Sequence, residues 1–372
     1  MWPNENVDND HVLKWKQWHS YYIFITLIPV FLPVFAESID GLSDSDMTMA
    51  EEAQVLLANI CIFGMFQLGV CFLRNAEKIK RLVDNLDQFK KYSNLNMLKI
   101  DGDAILYSKF FFAYSILGTL IYTFMPFIFV KYCETNKPIR MQKYNIPCGM
   151  ILPYRLPFPF DKSPIFEIVA IYTAYLASVT TIVIVTITTL VCSIISHVIG
   201  HLRELRRHIL SIQPGNVPNI KIKVEKIIQY HTAIIEYVNE VNDAFGTQLI
   251  AHRTLTSFVI SILGFVLITV DNFGEWLRFS MHLFGWLVLI YLVCHYGQTL
   301  IDESLGVAVD AYHIEWHTKP VVVQKYIRMI IMRAQKPIVL KALKVETFSA
   351  NTFVGILKAA YTVFTLLLNV RK

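Results

Sequence analysis

Small and polar residues recur at helical spacing in the last apolar stretch of the chain. They are Gly355, Lys358, Thr362, Thr365 and Asn369. Steps of three and four residues place them on one side of an α-helix, with apolar side chains around the rest. Within a membrane, such a stripe is either a seam for packing against another helix or one wall of a water-filled path. The pattern leaves both interpretations open, and enclosing a path would require several copies around an axis.

Two branched apolar residues, Leu366 and Val370, border this stripe near its C-terminal end. Side chains of this kind can close a pore by excluding water from a constriction. If the stripe is a pore wall, the pore and gate residues are therefore Thr362, Thr365, Leu366, Asn369 and Val370.

Aromatic, small and hydroxyl-bearing residues share helix faces in four earlier apolar stretches. Ligand cavities combine apolar walls with a few polar groups, so we predict a site here for a small, weakly polar ligand. Ordinary packing between helices is the alternative for each residue. The predicted ligand-binding residues are Phe63, Phe66, Gln67, Ser115, Gly118, Tyr122, Tyr172, Tyr175, Ser178, Met281, His282 and Phe284.

Catalytic and metal-binding motifs do not emerge from the sequence. It contains no HExxH, GxSxG, P-loop or GxGxxG pattern. His201 and His208 could share a helix face, but three arginines lie between them, and we interpret this segment as a solvated helix end. The paired acids Asp302 and Glu303 are expected to bind Lys or Arg side chains. We therefore predict no enzyme activity, no cofactor and no metal site.

The composition favours a membrane protein. Hydrophobic residues make up 54% of the 372 residues, charged residues 17%, and the mean hydropathy is +0.45. Soluble domains carry about 25% charged residues. The net charge of +5 is too mild to predict nucleic-acid binding, and the basic residues lie between apolar runs, where they can face a lipid surface.

Apolar stretches long enough to span a bilayer recur along the chain, since a spanning helix needs about 20 such residues. The first contains Pro29 and Pro33 and is expected to be kinked. The predicted fold is an all-α polytopic membrane protein with seven transmembrane helices. The spans are about 20–36, 53–73, 110–130, 168–199, 254–270, 279–301 and 347–370.

The distribution of Lys and Arg predicts the orientation of these spans. Most of these residues fall on the side that holds the N-terminus, whereas the first loop on the other side, 37–52, has six acids and no Lys or Arg. The positive-inside rule then predicts a cytoplasmic N-terminus and an extracellular C-terminus. Residues 1–19 would be a cytoplasmic segment and residues 20–372 a single transmembrane unit.

Two stretches outside the spans also have helical apolar periodicity. Residues 221–245 repeat apolar side chains about every 3.6 positions, and residues 320–337 form a second amphipathic pattern bounded by prolines. We predict a packed cytoplasmic anchor bundle from about 200–253 and 302–344. Helices lying on the lipid surface are the alternative.

The loop at 131–164 contains Pro147, Pro153 and Pro157, which cannot continue a helix. We interpret it as an ordered extracellular lid, with a flexible linker as the alternative. Cys133 and Cys148 in this loop could form a disulfide or remain free thiols, because spacing alone does not decide pairing.

The C-terminal quarter of the chain resembles the insect odorant receptor family. The resemblance lies in Cys294-His-Tyr-Gly-Gln-Thr-Leu-Ile-Asp-Glu-Ser304, Ala311-Tyr312, Trp316, Arg333-Ala-Gln-Lys-Pro337 and the stretch from Thr352 to Leu368. These segments occur in the family's order over roughly the last eighty residues. The rest of the chain is similar only in length, number of spans and orientation.

This resemblance implies a tetrameric odorant-gated cation channel, formed with a shared co-receptor subunit and held together mainly by the cytoplasmic helices. It implies a seventh helix that lines the pore, with Leu366 and Val370 at the constriction and Asn369 near the ion path. It also implies an odorant pocket for which Ser115, Gly118 and Tyr122 are the best local match. The chain lacks the co-receptor's long cytoplasmic insertion, which implies a tuning subunit in the plasma membrane of olfactory sensory neurons.

Two other classes remain as alternatives. A gustatory-type homomeric channel is disfavoured because Ala360-Tyr361 and Asn369-Val370 depart from the gustatory terminal pattern. A G-protein-coupled receptor would require an extracellular N-terminus and hence most of the basic residues outside. The identity of the odorant and the ratio of subunits do not follow from the sequence.

Overall fold

A computed structural model describes most of the chain after residue 48. The described residues are 22, 25, 32–33, 35–36, 49–92, 97–137, 139–152, 155–156, 158–212, 219–343 and 346–370. The predicted segment 1–19 and most of the predicted first span, 20–36, lie outside them.

The described chain is mainly helical. Its helices are α1 (Met49–Arg74), α2 (Ala76–Asn85), α3 (Met97–Ile128), α4 (Val130–Thr135), α5 (Ile139–Lys143), α6 (Ile165–Leu210), α7 (Ile220–Thr269), α8 (Phe273–His313), α9 (Val321–Ala334) and α10 (Ala350–Val370). Short 3-10 turns occupy Leu86–Lys91 and Trp316–Thr318. Two short antiparallel strands, β1 (Lys341–Ala342) and β2 (Glu346–Thr347), pair Lys341 with Thr347.

Six of these helices, α1, α3, α6, α7, α8 and α10, are long and apolar enough to cross a membrane. The hydrocarbon core of a bilayer has no water to pair with backbone N–H and C=O groups. A helix pairs these groups within itself and can therefore span the membrane. Large apolar side chains such as Phe110, Ile168 and Ile171 are exposed on the outer faces, as lipid contact would require. These six helices contain the predicted second to seventh spans, except residues 129–130 of the third, residue 270 of the fifth and residues 347–349 of the last.

Three helices continue well past the length of a bilayer. At 1.5 Å per residue, the 46 residues of α6 extend about 69 Å, roughly twice the hydrocarbon thickness. The 50 residues of α7 include the predicted 221–245 helix and the fifth span without a break. The parts of these helices beyond the spans pack together with α9 at one end of the molecule. We call this the lower bundle: it comprises the C-terminal part of α6, the N-terminal part of α7, the C-terminal part of α8, and α9.

The lower bundle has a buried apolar core and a charged edge. Leu202, Ile234 and Ile327, from α6, α7 and α9, are at most 2% exposed. At the edge, Arg206 of α6 binds both Glu303 and Asp310 of α8, each at 2.6 Å. A charge-assisted pair that is partly screened from water is stronger than a surface pair, so this cluster ties α6 to α8.

Of the paired acids Asp302 and Glu303, only Glu303 binds arginine side chains of the described residues as predicted. Glu303 binds Arg203 at 2.7 Å in addition to Arg206. Asp302 instead accepts a hydrogen bond from Gln298 Nε2 at 2.8 Å, one helical turn away.

The solvated helix end predicted at His201 is wrong. The His201 ring is fully buried, packs on Phe89 with ring centroids 4.4 Å apart, and shares a hydrogen bond with the Tyr230 hydroxyl at 2.7 Å. The reason is that α6 continues to Leu210 and is covered by α7 and by the 3-10 turn that contains Phe89.

The start of the last helix also differs from the predicted span, 347–370. Thr347 belongs to β2, and α10 begins at Ala350. Ser349 accepts a hydrogen bond from the Thr352 backbone N–H at 3.4 Å, and Ser is a favoured residue at a helix N-terminus. The chain approaches α8 closely here, because a side chain on Gly297 would collide with the Phe348 carbonyl group.

Candidate functional site

A cavity of about 190 Å³ lies between α1, α3, α6 and α8, and two residues of the 131–164 loop complete its wall. It is mostly apolar. Its lining includes Leu57, Ala58, Cys61 and Ile62 from α1, Phe111, Tyr114, Ser115, Gly118, Thr119 and Tyr122 from α3, Thr173, Leu176, Ala177, Thr180, Thr181, Ile184 and Val185 from α6, Arg278, Met281, His282, Gly285, Trp286 and Leu289 from α8, and Ile151 and Leu152.

Five predicted ligand-binding residues line this cavity. Ser115, Gly118 and Tyr122 follow one face of α3, and Met281 and His282 lie on the facing side of α8. A side chain added at Gly118 would meet no atom within 4 Å, so this glycine leaves open space in the wall. Contact with a ligand stays a prediction for all five.

Seven predicted residues do not line the cavity, which therefore gives no support to their predicted contact with a ligand. They are Phe63, Phe66, Gln67, Tyr172, Tyr175, Ser178 and Phe284. Phe63 is 59% exposed, and Phe284 and Tyr175 are also exposed. Helical spacing groups residues by face but does not say which face turns inward, and in a membrane protein both the lipid-facing and the inward-facing surfaces are apolar.

Arg278 is a lining residue that was not predicted from the sequence, because it lies just before the predicted span 279–301. Because α8 begins at Phe273, Arg278 lies inside the helix and only 3% of it is exposed. Its spacing of four residues before His282, a predicted site residue, is the signal that could have identified it.

The Arg278 guanidinium is held from several sides. Nη2 binds Glu275 Oε2 at 2.8 Å, and Nη1 donates to the Ile151 carbonyl oxygen at 3.3 Å. The guanidinium carbon lies 4.7 Å from the ring centroid of Tyr122 and 4.6 Å from that of Phe279. A charge this deeply buried is tolerated only with such partners.

His282 extends the polar end of the cavity by one helical turn. Its Nε2 accepts a hydrogen bond from Trp286 Nε1 at 3.0 Å, and its ring meets Tyr122 edge-on with centroids 5.5 Å apart. The Tyr114 hydroxyl donates to the Met281 carbonyl oxygen at 2.5 Å and joins α3 to α8 at the same level.

Several other hydroxyl groups on the wall donate to their own helices. Ser115 donates to the Phe111 carbonyl at 2.8 Å, and Thr180 and Thr181 donate to Leu176 and Ala177 at 2.8 and 2.9 Å. Their protons are therefore engaged within the wall, and the cavity is polar mainly around Arg278 and His282.

The 131–164 loop is ordered over its described residues. It contains α4 and α5, and Cys133 and Cys148 form a disulfide with their Cα atoms 5.9 Å apart. The sequence left a disulfide and two free thiols open as alternatives, and the structure contains the disulfide. Ile151, at 2% exposure, and Leu152 follow the disulfide and close one end of the cavity.

The predicted pore residues lie on α10, which contacts the described residues of its own chain along one face only. Thr352, Ile356 and Ala360 are buried, and Ser261 Oγ of α7 donates to the Ala360 carbonyl at 2.8 Å. Of the pore set, Thr362, Leu366 and Asn369 are exposed and Thr365 is half-buried. Val370 ends the helix, and its side chain is outside what the structure describes. The stripe is thus not a packing seam against α7.

Long apolar helices around a small, mostly apolar cavity define a multispan membrane protein that can enclose a small ligand. Residues 48–361 match the protein family described as "7tm Odorant receptor". The chain belongs to this odorant receptor family, whose insect members include its relatives below. It is therefore a chemoreceptor and not an enzyme.

Two curated relatives come from Drosophila melanogaster. Odorant receptor 85b is 28% identical over 263 residues, which span 68% of this chain and 65% of that receptor, just under two thirds of its length. Odorant receptor 85c is 23% identical over 362 residues, 95% of this chain and 92% of that receptor.

Among solved structures, the chain is similar to the insect olfactory receptor OR5 from Machilis hrabei in complex with eugenol. The TM-score is 0.80 at 17% identity, covering 100% of this chain and 93% of that chain. A second structure of OR5 from Machilis hrabei gives a TM-score of 0.74. At this identity the likeness establishes the shared fold.

Proposed function

We propose that the chain is the odorant-tuning subunit of an odorant-gated cation channel, assembled with a shared co-receptor subunit. The observation that carries this proposal is the small, mostly apolar cavity lined by α1, α3, α6 and α8 in a chain of the odorant receptor family. A volatile odorant is a small, weakly polar molecule, and apolar walls with few polar groups suit it.

The odorant would bind among Ser115, Gly118, Tyr122, Met281 and His282. OR5, which shares the fold, is in complex with eugenol, itself a small aromatic molecule. The family and the apolar helices place the chain in a membrane; we propose the plasma membrane of olfactory sensory neurons, with a cytoplasmic N-terminus.

The conducting path would follow α10. Its exposed stripe supports this, because polar groups that remain unburied within one subunit need either other subunits or water beside them. In a tetramer, Thr362, Thr365 and Asn369 would face the permeating cations, and Leu366 and Val370 would form the gate. The lower bundle would be the cytoplasmic anchor through which the subunits associate.

Expression in a cell without other chemoreceptors tests the proposal. The chain alone, the co-receptor alone and the two together are expressed in separate cells, and whole-cell current is recorded with and without an odorant panel. We expect odorant-evoked, cation-selective current only when both subunits are present.

The other outcomes separate the alternatives. Odorant-evoked current from the chain alone would favour a homomeric gustatory-type channel. Signalling that depends on G proteins and occurs without cation current would favour a coupled receptor.

A further inference from the structure

We propose that the cavity selects odorants that carry a neutral carbonyl oxygen, and that Arg278 Nε and His282 Nδ1 donate hydrogen bonds to it. This inference rests on the proposed function, since it assumes that the odorant enters the cavity. It adds the ligand's chemical class and the two atoms that recognise it.

The hydrogen bond from Trp286 identifies the donor on His282. An indole N–H can only donate, so His282 Nε2, 3.0 Å away, must be the unprotonated acceptor. In the neutral ring the proton is then on Nδ1. This Nδ1 is buried and has no hydrogen-bond partner among the described residues.

Arg278 presents a second donor of the same kind. Its terminal nitrogens are engaged by Glu275 and the Ile151 carbonyl, whereas Nε is buried and has no partner among the described residues. A guanidinium nitrogen can only donate. Buried donors without acceptors are rare in folded proteins, and each one calls for a missing partner.

The two donors belong to one site. Arg278 and His282 are four residues apart on α8, both line the cavity, and both contact the ring of Tyr122. Neighbouring atoms cover each nitrogen in this structure, so an acceptor reaches it once those neighbours shift, and it would then satisfy a group that burial otherwise leaves unpaired. The rest of the wall is largely aliphatic and aromatic, which suits the hydrocarbon body of the same molecule.

Electrostatics favours a neutral carbonyl over a carboxylate. Glu275 lies 2.8 Å from Arg278 Nη2 and already neutralises the guanidinium. A carboxylate would bring a second negative charge beside Glu275 and would lose its own hydration on burial. Ketones, aldehydes and esters avoid both costs.

The volume of the cavity limits the size of the ligand. A cavity of about 150 Å³ in another protein accommodates benzene. The cavity here, at about 190 Å³, is therefore suited to a monocyclic ketone or ester.

Pairs of probes that differ only at the oxygen provide the test. Acetophenone is compared with α-methylstyrene, and cyclohexanone with methylenecyclohexane, because each hydrocarbon replaces the carbonyl oxygen by a methylene group. Concentration–response curves are recorded on the co-expressed complex. We expect each ketone to be about five- to tenfold more potent than its partner, the effect of one net hydrogen bond.

Two variants assign this preference to the donors. His282→Phe keeps an aromatic ring beside Tyr122 and removes the Nδ1 donor, while Arg278→Lys keeps the charge beside Glu275 and removes the Nε donor. In either variant the potency ratio within a pair should fall to about twofold or less. His295→Phe is the matched control, because His295 is an exposed histidine of α8 outside the cavity, and it should leave the ratio unchanged.

The measured quantity is the potency of a ketone divided by that of its hydrocarbon partner on the same batch of receptors. Reduced surface expression affects both potencies alike and leaves this ratio unchanged. Equal potency of ketone and hydrocarbon in the wild type, or an unchanged ratio in both variants, would overturn the carbonyl assignment and leave the channel proposal intact. A panel whose active members all lack an acceptor oxygen would do the same. Complete absence of evoked current with every odorant would instead contradict the proposed function.

Discussion

At the scale of single residues, Tyr122 contacts both polar residues of the cavity. Its ring contacts both the Arg278 guanidinium and the His282 imidazole, and it contributes to the lining. An aromatic ring at this position gives the ligand a flat apolar surface and screens the buried charge behind it. We therefore regard Tyr122 as the central residue of the proposed binding site.

Replacing Tyr122 by Ala is expected to raise the half-maximal odorant concentration by on the order of tenfold, the scale of one lost aromatic contact. The maximal current should change less, because the gate is on α10. The measurement is a concentration–response curve on the co-expressed complex at matched surface expression.

Tyr175→Ala is the control for this change. Tyr175 is a tyrosine of α6 that lies outside the cavity and is 46% exposed. A potency shift of the same size in both variants would remove Tyr122 from the binding site.

At the scale of elements, α10 differs from the other spanning helices. Its buried face is narrow and is formed by Thr352, Ile356 and Ala360. The helix is attached to α7 through the Ser261 hydrogen bond, and the side chain of Phe364 packs at Gly264. An element held to its own subunit along one face is suited to move relative to its neighbours when a ligand binds elsewhere.

Shortening the predicted gate should increase current in the absence of odorant. Leu366→Ala and Val370→Ala each remove branched apolar atoms from the proposed constriction and so lower the barrier that excludes water. We expect a several-fold rise in ligand-free cation current in each variant, measured as the blocker-sensitive leak of the co-expressed complex.

Val354→Ala serves as the comparison on the same helix. Val354 is 48% exposed but lies near the opposite end of α10 from the proposed gate. Basal current that stays at the wild-type level in both gate variants would exclude these two positions from the constriction.

At the scale of the whole molecule, the position of the disulfide supports the proposed orientation. The Cys133–Cys148 bond lies in the 131–164 loop beside the cavity, whereas the ion pairs of Arg206 lie in the lower bundle. Disulfides persist in oxidising surroundings and are rare in the cytosol. The loop would therefore be extracellular, with the lower bundle in the cytoplasm.

An epitope tag at each end of the chain tests this orientation. On intact cells, a tag after residue 372 should be labelled by antibody and a tag before residue 1 should not, while both should be labelled after permeabilisation. Most Lys and Arg then remain inside, as the positive-inside rule requires. Labelling of the N-terminal tag on intact cells would reverse the orientation and favour the coupled-receptor alternative.

The sequence by itself determined the six long helices α1, α3, α6, α7, α8 and α10 and their capacity to cross a membrane, but not the short helices α2, α4 and α5. It also determined the family, through the ordered segments between Cys294 and Leu368, and the helices at 221–245 and 320–337 outside the spans. These properties are local, because hydropathy and 3.6-residue periodicity depend only on residues that are neighbours in the chain and not on how the helices pack.

Only the tertiary structure decided which helix face turns inward. Gly118 and Tyr122 line the cavity while Phe63 and Phe284 do not, although all four were predicted together. It also brought Arg278 into the wall and buried His201 in the lower bundle. The physical reason is that a hydrocarbon solvent removes the contrast between an apolar interior and an apolar exterior, so facing is set by contacts between helices that are far apart in the sequence.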